Sequence, residues 1–427
     1  MRHILQVFEH GCLQVDGERF TTTHFNRLVQ YNEHYENRYF EVGHGRIYFR
    51  HYVGVIQVGN LTIEILPKAD RSPVGNKIKW RGILLEMLRQ TGVLEPEIVH
   101  DATLRLQNAP LLDLYFDAFL SAVEQLTHHG LVRKYRLTTG NLGKLKGRLL
   151  FRQQIAKNLM HPERVFTAHE EYDRNNLFNQ ILKKAVSVVG CTSTNNSVST
   201  RAQGLGLVFE DIAEVLVTEQ TFSRLRFDRN TERYRRAIQL ARLIILNYAP
   251  DLQGGRESVL AILFDMNRLF ERFIYVQMKR AEPRYRNQGL TITGQGTKQF
   301  WGGRRIRPDI QAAFKAGPLL KCVILDTKWK LPKTNEPEDA DIQQMYVYNV
   351  HFGSGQSVLV YPAFSGSKAC RTSYATSTAT KPDFQHDCRT YYVELVSEEG
   401  GLRQDIGKVL IEDLVLSEQL GPNQTSN

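Results

Sequence analysis

The chain has 427 residues, 42% hydrophobic and 23% charged, which is the composition of an ordinary globular protein with two or three domains. Lys and Arg total 55 against 45 Asp and Glu, and the net charge of +10 suits a polyanionic partner without requiring one. The five cysteines are odd in number, scattered and without a CxxC pair, which argues against a disulfide framework and a zinc site.

The sequence carries no sign of secretion or membrane insertion. Residues 1–6 lack the apolar core of a signal peptide, and no uninterrupted apolar run is long enough for a transmembrane helix. A GxxxxGK[ST] phosphate-binding loop is also absent, because Gly407-Lys408 lacks the upstream glycine and the following Ser or Thr. We therefore expect a soluble cytoplasmic protein that has no membrane partner and no nucleotide-driven motor of its own.

Residues 1–72 are predicted to form a β-rich N-terminal domain. Alternating polar and apolar residues indicate a strand at 46–50. Gly59-Asn60 lies between two β-branched runs, at 53–58 and 61–65, and indicates a hairpin. The residues at 70–73 include a proline and turn formers, and they predict a linker to the next region.

Residues 73–250 are predicted to form a largely helical middle region. Apolar residues recur at helical spacing in four stretches: at 78–88, 111–126, 175–189 and 234–248. A dense run of arginines between Arg224 and Arg236 has Phe222, Phe227 and Tyr234 interleaved with it. This run suits contact with a phosphate backbone or, at least as well, a solvated helix face.

Residues 251–427 are predicted to form an α/β domain, so the fold class is α/β, or α+β for the whole chain. The predicted elements are a long helix at 257–279, a Gly-, Arg- and aromatic-rich loop at 283–301, a hairpin with strands at 307–313 and 319–330, a helix at 341–349, and strands at 357–361 and 391–395. The Ser/Thr-rich stretch 365–380 is expected to be a mobile loop, and the tail after 420 is expected to be disordered.

The hairpin carries the candidate catalytic residues. Residues two apart on a strand share a face, so Asp326 and Lys328 point the same way. Folding back at the predicted turn places Asp309 opposite Leu325 or Asp326, near the open end of the hairpin. Two carboxylates can hold one Mg²⁺, which neutralises phosphoryl oxygens and activates water. A lysine can orient or deprotonate that water, or stabilise the developing charge. The alternative is a solvated Asp-x-Lys surface pair.

Three further side chains are candidates for the same site. Glu271 lies beside the apolar stripe of its predicted helix, where it could bind the metal or orient water, or simply pair with Arg268 or Arg272. Gln344 and Tyr348 share a face of the next helix, where they could touch DNA or position Lys328. Asp341 lies on that face too, and for it we favour a role at the helix start.

These residues resemble a known nuclease core. Asp309, Asp326-Thr327-Lys328 and Gln344-x-x-x-Tyr348 look like the PD-(D/E)XK motif, and over residues 40–395 the chain resembles the McrC family. Four stretches carry the wider resemblance: 53–68, 130–149, 176–182 and 264–271. The resemblance implies a C-terminal domain with a central mixed sheet flanked by helices. It also implies that Asp309, Asp326 and Glu271 bind metal and that Lys328 is the catalytic lysine.

The resemblance also implies a function and partners. McrC-like subunits cleave DNA with Mg²⁺, for which Mn²⁺ may substitute, in modification-dependent restriction systems. They act with a hexameric ring of an AAA+ GTPase, McrB, whose GTP hydrolysis they stimulate, and the resemblance implies that residues 73–250 of this chain engage that ring. The leading hypothesis is therefore a metal-dependent DNA endonuclease subunit. The alternatives are a non-catalytic scaffold that activates the GTPase, and a stand-alone DNA repair nuclease.

Overall fold

The computed structural model describes residues 3–69, 76–93, 110–249, 258–316, 319–330, 332, 336–364, 366–375 and 385–416. Its α-helices are α1 Thr22–His34, α2 Lys77–Gln90, α3 Leu111–His128, α4 Phe151–Asn158, α5 Leu177–Thr192, α6 Asn196–Val208, α7 Glu219–Ser223, α8 Arg235–Leu246, α9 Met266–Ala281, α10 Asp339–Phe352 and α11 Ile406–Ile411. Short 3₁₀ turns lie at Glu232–Tyr234 and Glu282–Gln288, and a π turn lies at Glu412–Leu416.

The strands are β1 His3–Phe8, β2 Cys12–Gln14, β3 Phe40–Gly43, β4 Arg46–Phe49, β5 Tyr52–Val58, β6 Leu61–Leu66, β7 Lys134–Leu142, β8 Arg148–Leu149, β9 Val165–Asp173, β10 Tyr248–Ala249, β11 Val259–Asp265, β12 Thr291–Gly294, β13 Lys298–Trp301, β14 Arg304–Ile306, β15 Ile310–Ala316, β16 Leu319–Thr327, β17 Gln356–Pro362, β18 Arg371–Ser373 and β19 Asp387–Val393. Helices and strands are mixed along the whole chain, which confirms the predicted α/β class.

The first sheet has the strand order β1-β6-β5-β11-β10, and the predicted Gly59-Asn60 hairpin forms its centre. The first strand lies parallel to β6, while the other neighbours are antiparallel. Every residue of β5 and β6 is buried, because α1 packs on one face and α2, α3 and α8 pack on the other. Gly54 has φ +137°, and a Cβ there would lie 2.1 Å from the carbonyl oxygen of Ile262, so only glycine fits where β5 meets β11.

The helix predicted at 257–279 is wrong in its first part. The apolar run Val259–Asp265 is strand β11, which pairs with β5 over seven residues, and helix α9 begins only at Met266. A continuous apolar run is compatible with either a buried helix or a buried strand, and the open edge of β5 decided between them. The Asp265 side chain caps α9 by accepting from the amides of Asn267 and Arg268.

The second sheet positions the candidate site. Its order is β12-β15-β16-β17-β19-β18, with β16, β17 and β19 parallel and the other neighbours antiparallel, which matches the predicted central mixed sheet. Val323 and Leu325 face α9, whereas Ile324 packs with Met345 of α10 on the opposite face. The alternation places Asp326 on the same face as Ile324, toward α10.

The middle region is less purely helical than predicted. Helices α2, α3, α5 and α8 confirm the four predicted helical stretches, and α6 is a further helix that was not predicted. A three-stranded sheet of order β7-β9-β8 lies between α3 and α5 in the chain. Strands β7 and β9 pair over nine residues and are flanked by the short helix α4. Alternate residues of β7 are exposed, so this sheet has little core of its own.

Some predictions fall outside the residues that the structure describes. These are the linker at 70–73, the turn residues Gly317-Pro318, the stretch 376–380 of the Ser/Thr-rich segment, and the tail after 420. The domain boundaries at 72 and 250 stay predictions, although β10 and β11 place residues from both sides of position 250 in the first sheet. Within the described residues, no helix is both long and apolar enough to cross a membrane.

Candidate active site

The structure brings Asp309 and Asp326 together at the open end of the β15–β16 hairpin. Ile310 pairs with Leu325, so the next position on each strand places the two aspartates opposite each other, as predicted. One carboxylate oxygen of Asp309 accepts hydrogen bonds from the Thr327 amide at 2.7 Å and the Thr327 hydroxyl at 2.8 Å. Asp326 is only 2% exposed. Asp326 is therefore buried, and Asp309 is partly exposed but fixed by Thr327, so the pair differs from a fully solvated surface pair.

Lys328 joins the two acids to helix α10. Its ammonium nitrogen lies 2.7 Å from Asp326 Oδ2 and donates to Gln344 Oε1 at 3.0 Å. Gln344 Nε2 in turn donates to the Tyr348 hydroxyl at 2.8 Å, and that hydroxyl donates to the Arg307 carbonyl at 3.0 Å. The sequence allowed Gln344 and Tyr348 either to touch DNA or to position Lys328. This chain of hydrogen bonds agrees with the second option.

Burial and mutual repulsion change the proton affinities of the acids. Burial, followed by the charge of Asp309, raises the pKa of Asp326 to about 7 despite the nearby ammonium. Burial likewise raises the pKa of Asp309, against the hydrogen bonds from Thr327. Burial acts to lower the pKa of Lys328, but Asp326 and Asp341 outweigh it and raise that pKa. These acids therefore favour the charged form of Lys328, which donates to Gln344, and its catalytic role stays a prediction.

Glu271 lies beside the pair but does not complete a tight cluster. Burial, followed by the charge of Asp309, raises its pKa, and its Oε1 accepts from Gln295 Nε2 at 2.9 Å. The positive charges of Arg307 and Arg268 act to lower that pKa, so both interpretations of Glu271 stay predictions. Gln295, which precedes β13, holds the Glu271 carboxylate through its side-chain hydrogen bond.

The donor set fits a hard divalent cation in its chemistry. Two carboxylates that face each other at a partly buried edge repel, and a cation between them would remove that repulsion. Mg²⁺ retains several waters, so two protein ligands suffice. No group of three or more His, Cys, Asp or Glu side chains gathers at metal-binding distance in the described part of the chain. Asp309 and Asp326 are thus the expected ligands, and direct ligation by Glu271 stays a prediction.

The structure adds Asp341 to the site, where sequence reasoning favoured only a role at the helix start. Asp341 does lie in the first turn of α10, but it is buried and contacts two lysines. Its Oδ1 lies 3.4 Å from Lys328 Nζ, and its Oδ2 lies 2.7 Å from Lys330 Nζ. The sequence signal for Asp341 was its position on the same helix face as Gln344 and Tyr348. The lysine contacts depend on how α10 packs against β16, which spacing does not reveal.

Sequence reasoning missed Glu9 entirely. This residue follows β1, and its Oε1 accepts from Trp329 Nε1 at 2.6 Å and from the Lys68 amide at 2.9 Å. Trp329 comes directly after Lys328, and its ring packs edge-on against Phe270 at 5.2 Å. Burial raises the pKa of Glu9 to about 7. The N-terminal sheet thereby supports the segment that carries the candidate catalytic lysine.

The arginine run between 224 and 236 does not form an aromatic platform. Phe222 and Tyr234 are buried, and the Tyr234 hydroxyl donates to Asn179 Oδ1 at 3.0 Å. Phe227 packs against Phe178, with the Arg235 guanidinium 4.4 Å from its centroid. The aromatic side chains therefore serve the helical core, and the structure favours the interpretation of a solvated face.

A family model described as McrBC 5-methylcytosine restriction system component matches residues 47–362, which is more than half of the chain and includes the whole candidate site. A curated relative from Escherichia coli (strain K12), the type IV methyl-directed restriction enzyme EcoKMcrBC, is 24% identical over 178 residues. That match covers 40% of this chain, and the chain spans only 50% of the relative.

Two solved structures are similar in fold. A refined half-complex of Thermococcus gammatolerans McrB AAA+ hexamers with bound McrC contains a chain that matches with TM-score 0.68 and 20% identity, over 96% of this chain and 99% of that one. A cryo-EM structure of the Thermococcus gammatolerans McrBC complex matches with TM-score 0.50 and 22% identity, over 65% and 87% of the two chains. At these identities the likeness establishes the fold alone.

Proposed function

Because the chain belongs to the family of McrBC 5-methylcytosine restriction system components, we propose that it is the DNA-cutting subunit of such a system. The observation that carries the proposal is the pairing of Asp309 with Asp326 beside the Lys328 ammonium at one end of a buried hairpin. This arrangement is the one that the PD-(D/E)XK resemblance requires, and the family match includes all of it.

Each side chain has a role that follows from its contacts. Asp309, fixed by Thr327, and Asp326 would hold a Mg²⁺ ion, which when bound stabilises charge on the phosphoryl oxygens and lowers the pKa of the attacking water. The Lys328 ammonium stabilises the negative charge that develops during hydrolysis. Glu271, with its raised pKa, orients the water and accepts a proton from it.

An exposed apolar surface in the middle region suits a protein partner. The sheet of β7, β8 and β9 and the segments around helix α4 expose large apolar side chains, which we call the exposed β7–β9 surface: Tyr135, Leu137, Leu145, Phe151, Ile155, Leu159, Met160 and Tyr172. Leu137 is 70% exposed, and the rings of Tyr135 and Tyr172 lie 4.9 Å apart. Contiguous exposed apolar groups are typical of interaction sites. The AAA+ hexamers bound to McrC in the similar assembly make a ring of that type the partner that we propose.

The deciding experiment is cleavage of duplex DNA with and without 5-methylcytosine, by the full chain with and without its AAA+ GTPase, GTP and Mg²⁺. Our proposal predicts cleavage of modified DNA only when all components are present. Cleavage without the GTPase would instead support a stand-alone nuclease. Stimulated GTP hydrolysis without cleavage would support a non-catalytic scaffold, and the intact Asp309–Asp326–Lys328 set argues against that reading.

A further inference from the structure

A second hairpin, β13–β14, extends beside the candidate site and has no role in the chemistry described above. It forms a two-stranded sheet of its own, joined by Gly302-Gly303, with Trp301 paired to Arg304. All four residues of β13 are exposed, and Trp301 is 69% exposed at the tip. A short hairpin with so little burial is not explained by stability, because isolated two-stranded sheets are marginal in water.

Both ends of this hairpin are attached to the site. On the entering side, Gln295 donates from its amide to the Asp309 carbonyl at 2.9 Å and from its side chain to Glu271. On the leaving side, only Arg307 and Pro308 separate β14 from Asp309, and the Arg307 carbonyl accepts from Tyr348. Whatever the hairpin binds is therefore held next to the paired acids.

The base of the hairpin is fixed while its tip is free to make contacts. Lys298 donates to the His351 carbonyl at 2.9 Å and lies 4.9 Å from the Phe352 ring, at the end of α10. The Phe300 ring packs edge-on with His351 at 5.3 Å. Beyond this contact, the Arg304 guanidinium lies 5.5 Å from the Trp301 ring. The outer half thus presents an aromatic ring and a guanidinium from an anchored base.

The charge of the segment is of one sign. Residues 295–308 contain Lys298, Arg304, Arg305 and Arg307 and no acidic residue. Arg304, Arg305 and Arg307 lie within five residues of Asp309, and positive charge there is favourable for a polyanion that must approach the paired carboxylates. A two-stranded β-ribbon also has the width that the major groove of duplex DNA admits.

We propose that the β13–β14 hairpin is a DNA-binding ribbon that holds duplex DNA against the Asp309–Asp326 edge. Arg304 and Arg305 contact phosphates, and Trp301 packs on the exposed face of the duplex beside them. The inference rests on the proposed nuclease function and adds the surface by which the substrate is held.

The test uses the full chain carrying Asp326→Asn, so that DNA stays intact, and measures binding of a labelled duplex by fluorescence anisotropy over a range of salt concentrations, with the AAA+ partner absent and present. Arg304→Ala/Arg305→Ala should weaken binding about tenfold or more and reduce the slope of log affinity against log salt by about two. Trp301→Ala should weaken binding with little change in that slope.

The matched control is Arg224→Ala/Arg226→Ala, which removes the same charge from two exposed arginines outside the site. Equal loss in both double variants would reduce the effect to net charge and overturn the inference. Unchanged DNA binding with weaker binding of the AAA+ partner would make the hairpin a protein-docking element instead. If the Asp326→Asn parent itself binds no duplex, alone or with its partner, the proposed function fails first. If the parent binds and the hairpin variant binds equally well, only the ribbon fails.

Discussion

Two antiparallel strand pairs of this molecule differ in how their side chains are covered. In the β15–β16 hairpin the central residues are buried between α9 and α10, and at its open end Thr327 donates to Asp309 while the Lys328 ammonium lies beside Asp326. Strands β7 and β9 pair over a longer stretch but leave Tyr135, Leu137 and Tyr172 exposed. The side chains of the first pair thus contact other parts of the chain, whereas the second pair presents apolar side chains that nothing in the described part of the chain covers.

The difference corresponds to two requirements of the nuclease function that we propose. Catalysis needs side chains held in place, which burial and hydrogen bonds provide. Activation by a partner needs a surface that is uncovered until the partner binds, which exposed apolar side chains provide. If this division is correct, changes in one strand pair should leave the function of the other intact, and the following predictions test that in order of expected effect.

The largest effect should come from Asp326→Asn or Lys328→Ala. Either change removes charge that the proposed mechanism requires, and we expect cleavage to fall about a thousandfold or more. Stimulation of the partner's GTP hydrolysis should stay within about twofold of wild type. Asp339→Asn is the control, since Asp339 is an exposed acid in the first turn of α10, where the site residue Asp341 also lies. Cleavage at the wild-type rate by either site variant would contradict the assignment.

The next effect should come from Leu137→Glu on the exposed β7–β9 surface. Burying a charge at an apolar contact is costly, so binding to the AAA+ partner should weaken about ten- to a hundredfold. The melting temperature should not change, because the side chain is already exposed. Leu216→Glu, at another exposed leucine, provides the control. Binding to the AAA+ partner is measured by calorimetry or anisotropy. Equal loss of affinity in the two variants would show that the exposed β7–β9 surface has no specific role in that binding.

A third effect concerns Glu9, which supports the site from the N-terminal sheet. Its pKa is about 7 in the fold against an ordinary value of 4.5, so between these pH values the folded state binds more protons than the unfolded state. The free energy of unfolding should therefore decrease as pH rises through this window. Glu9→Gln lacks that dependence. Its free energy of unfolding, relative to that of wild type, should therefore rise by on the order of 2–3 kcal/mol between pH 4.5 and 7.5.

Urea denaturation of both proteins across that window checks the prediction. Glu86→Gln is a useful comparison: burial raises the pKa of Glu86, but hydrogen bonds from Arg89 and Gln90 outweigh it and lower the pKa. The sign of its pH dependence should be opposite, since stability from Glu86 is lost as pH falls. If the free energies of unfolding of Glu9→Gln and of wild type changed with pH in parallel, ionisation of Glu9 would have no effect on stability.

The smallest effect should come from Tyr348→Phe. The hydroxyl accepts from Gln344 and donates to the Arg307 carbonyl, so its removal loosens the group that orients Lys328. A loss of about 1 kcal/mol corresponds to about fivefold slower cleavage. We expect kcat to fall while KM is unchanged. Tyr346→Phe is the control on the same helix, where the ring instead packs with Tyr374 and His386. A change in KM alone would indicate direct contact with DNA.

The candidate site was largely predictable from the sequence because its main parts are close in the chain. Asp309 and Asp326 are joined by one hairpin, and period-two alternation sets their faces. Gln344 and Tyr348 were found because a turn of helix fixes their spacing. Asp341 was assigned only a helix-start role, and Glu9 was missed, because their partners belong to elements whose packing no local pattern encodes.

The fold divides in the same way. Helical periodicity and the Gly59-Asn60 turn determined most helices and the first hairpin, because hydrogen bonds between near neighbours set those elements. Only the tertiary structure decided that Val259–Asp265 is a strand, since its partner β5 lies some 200 residues earlier in the chain. The sequence likewise did not determine that Leu137 and Trp301 are exposed, because an apolar side chain is exposed only where the fold leaves it uncovered.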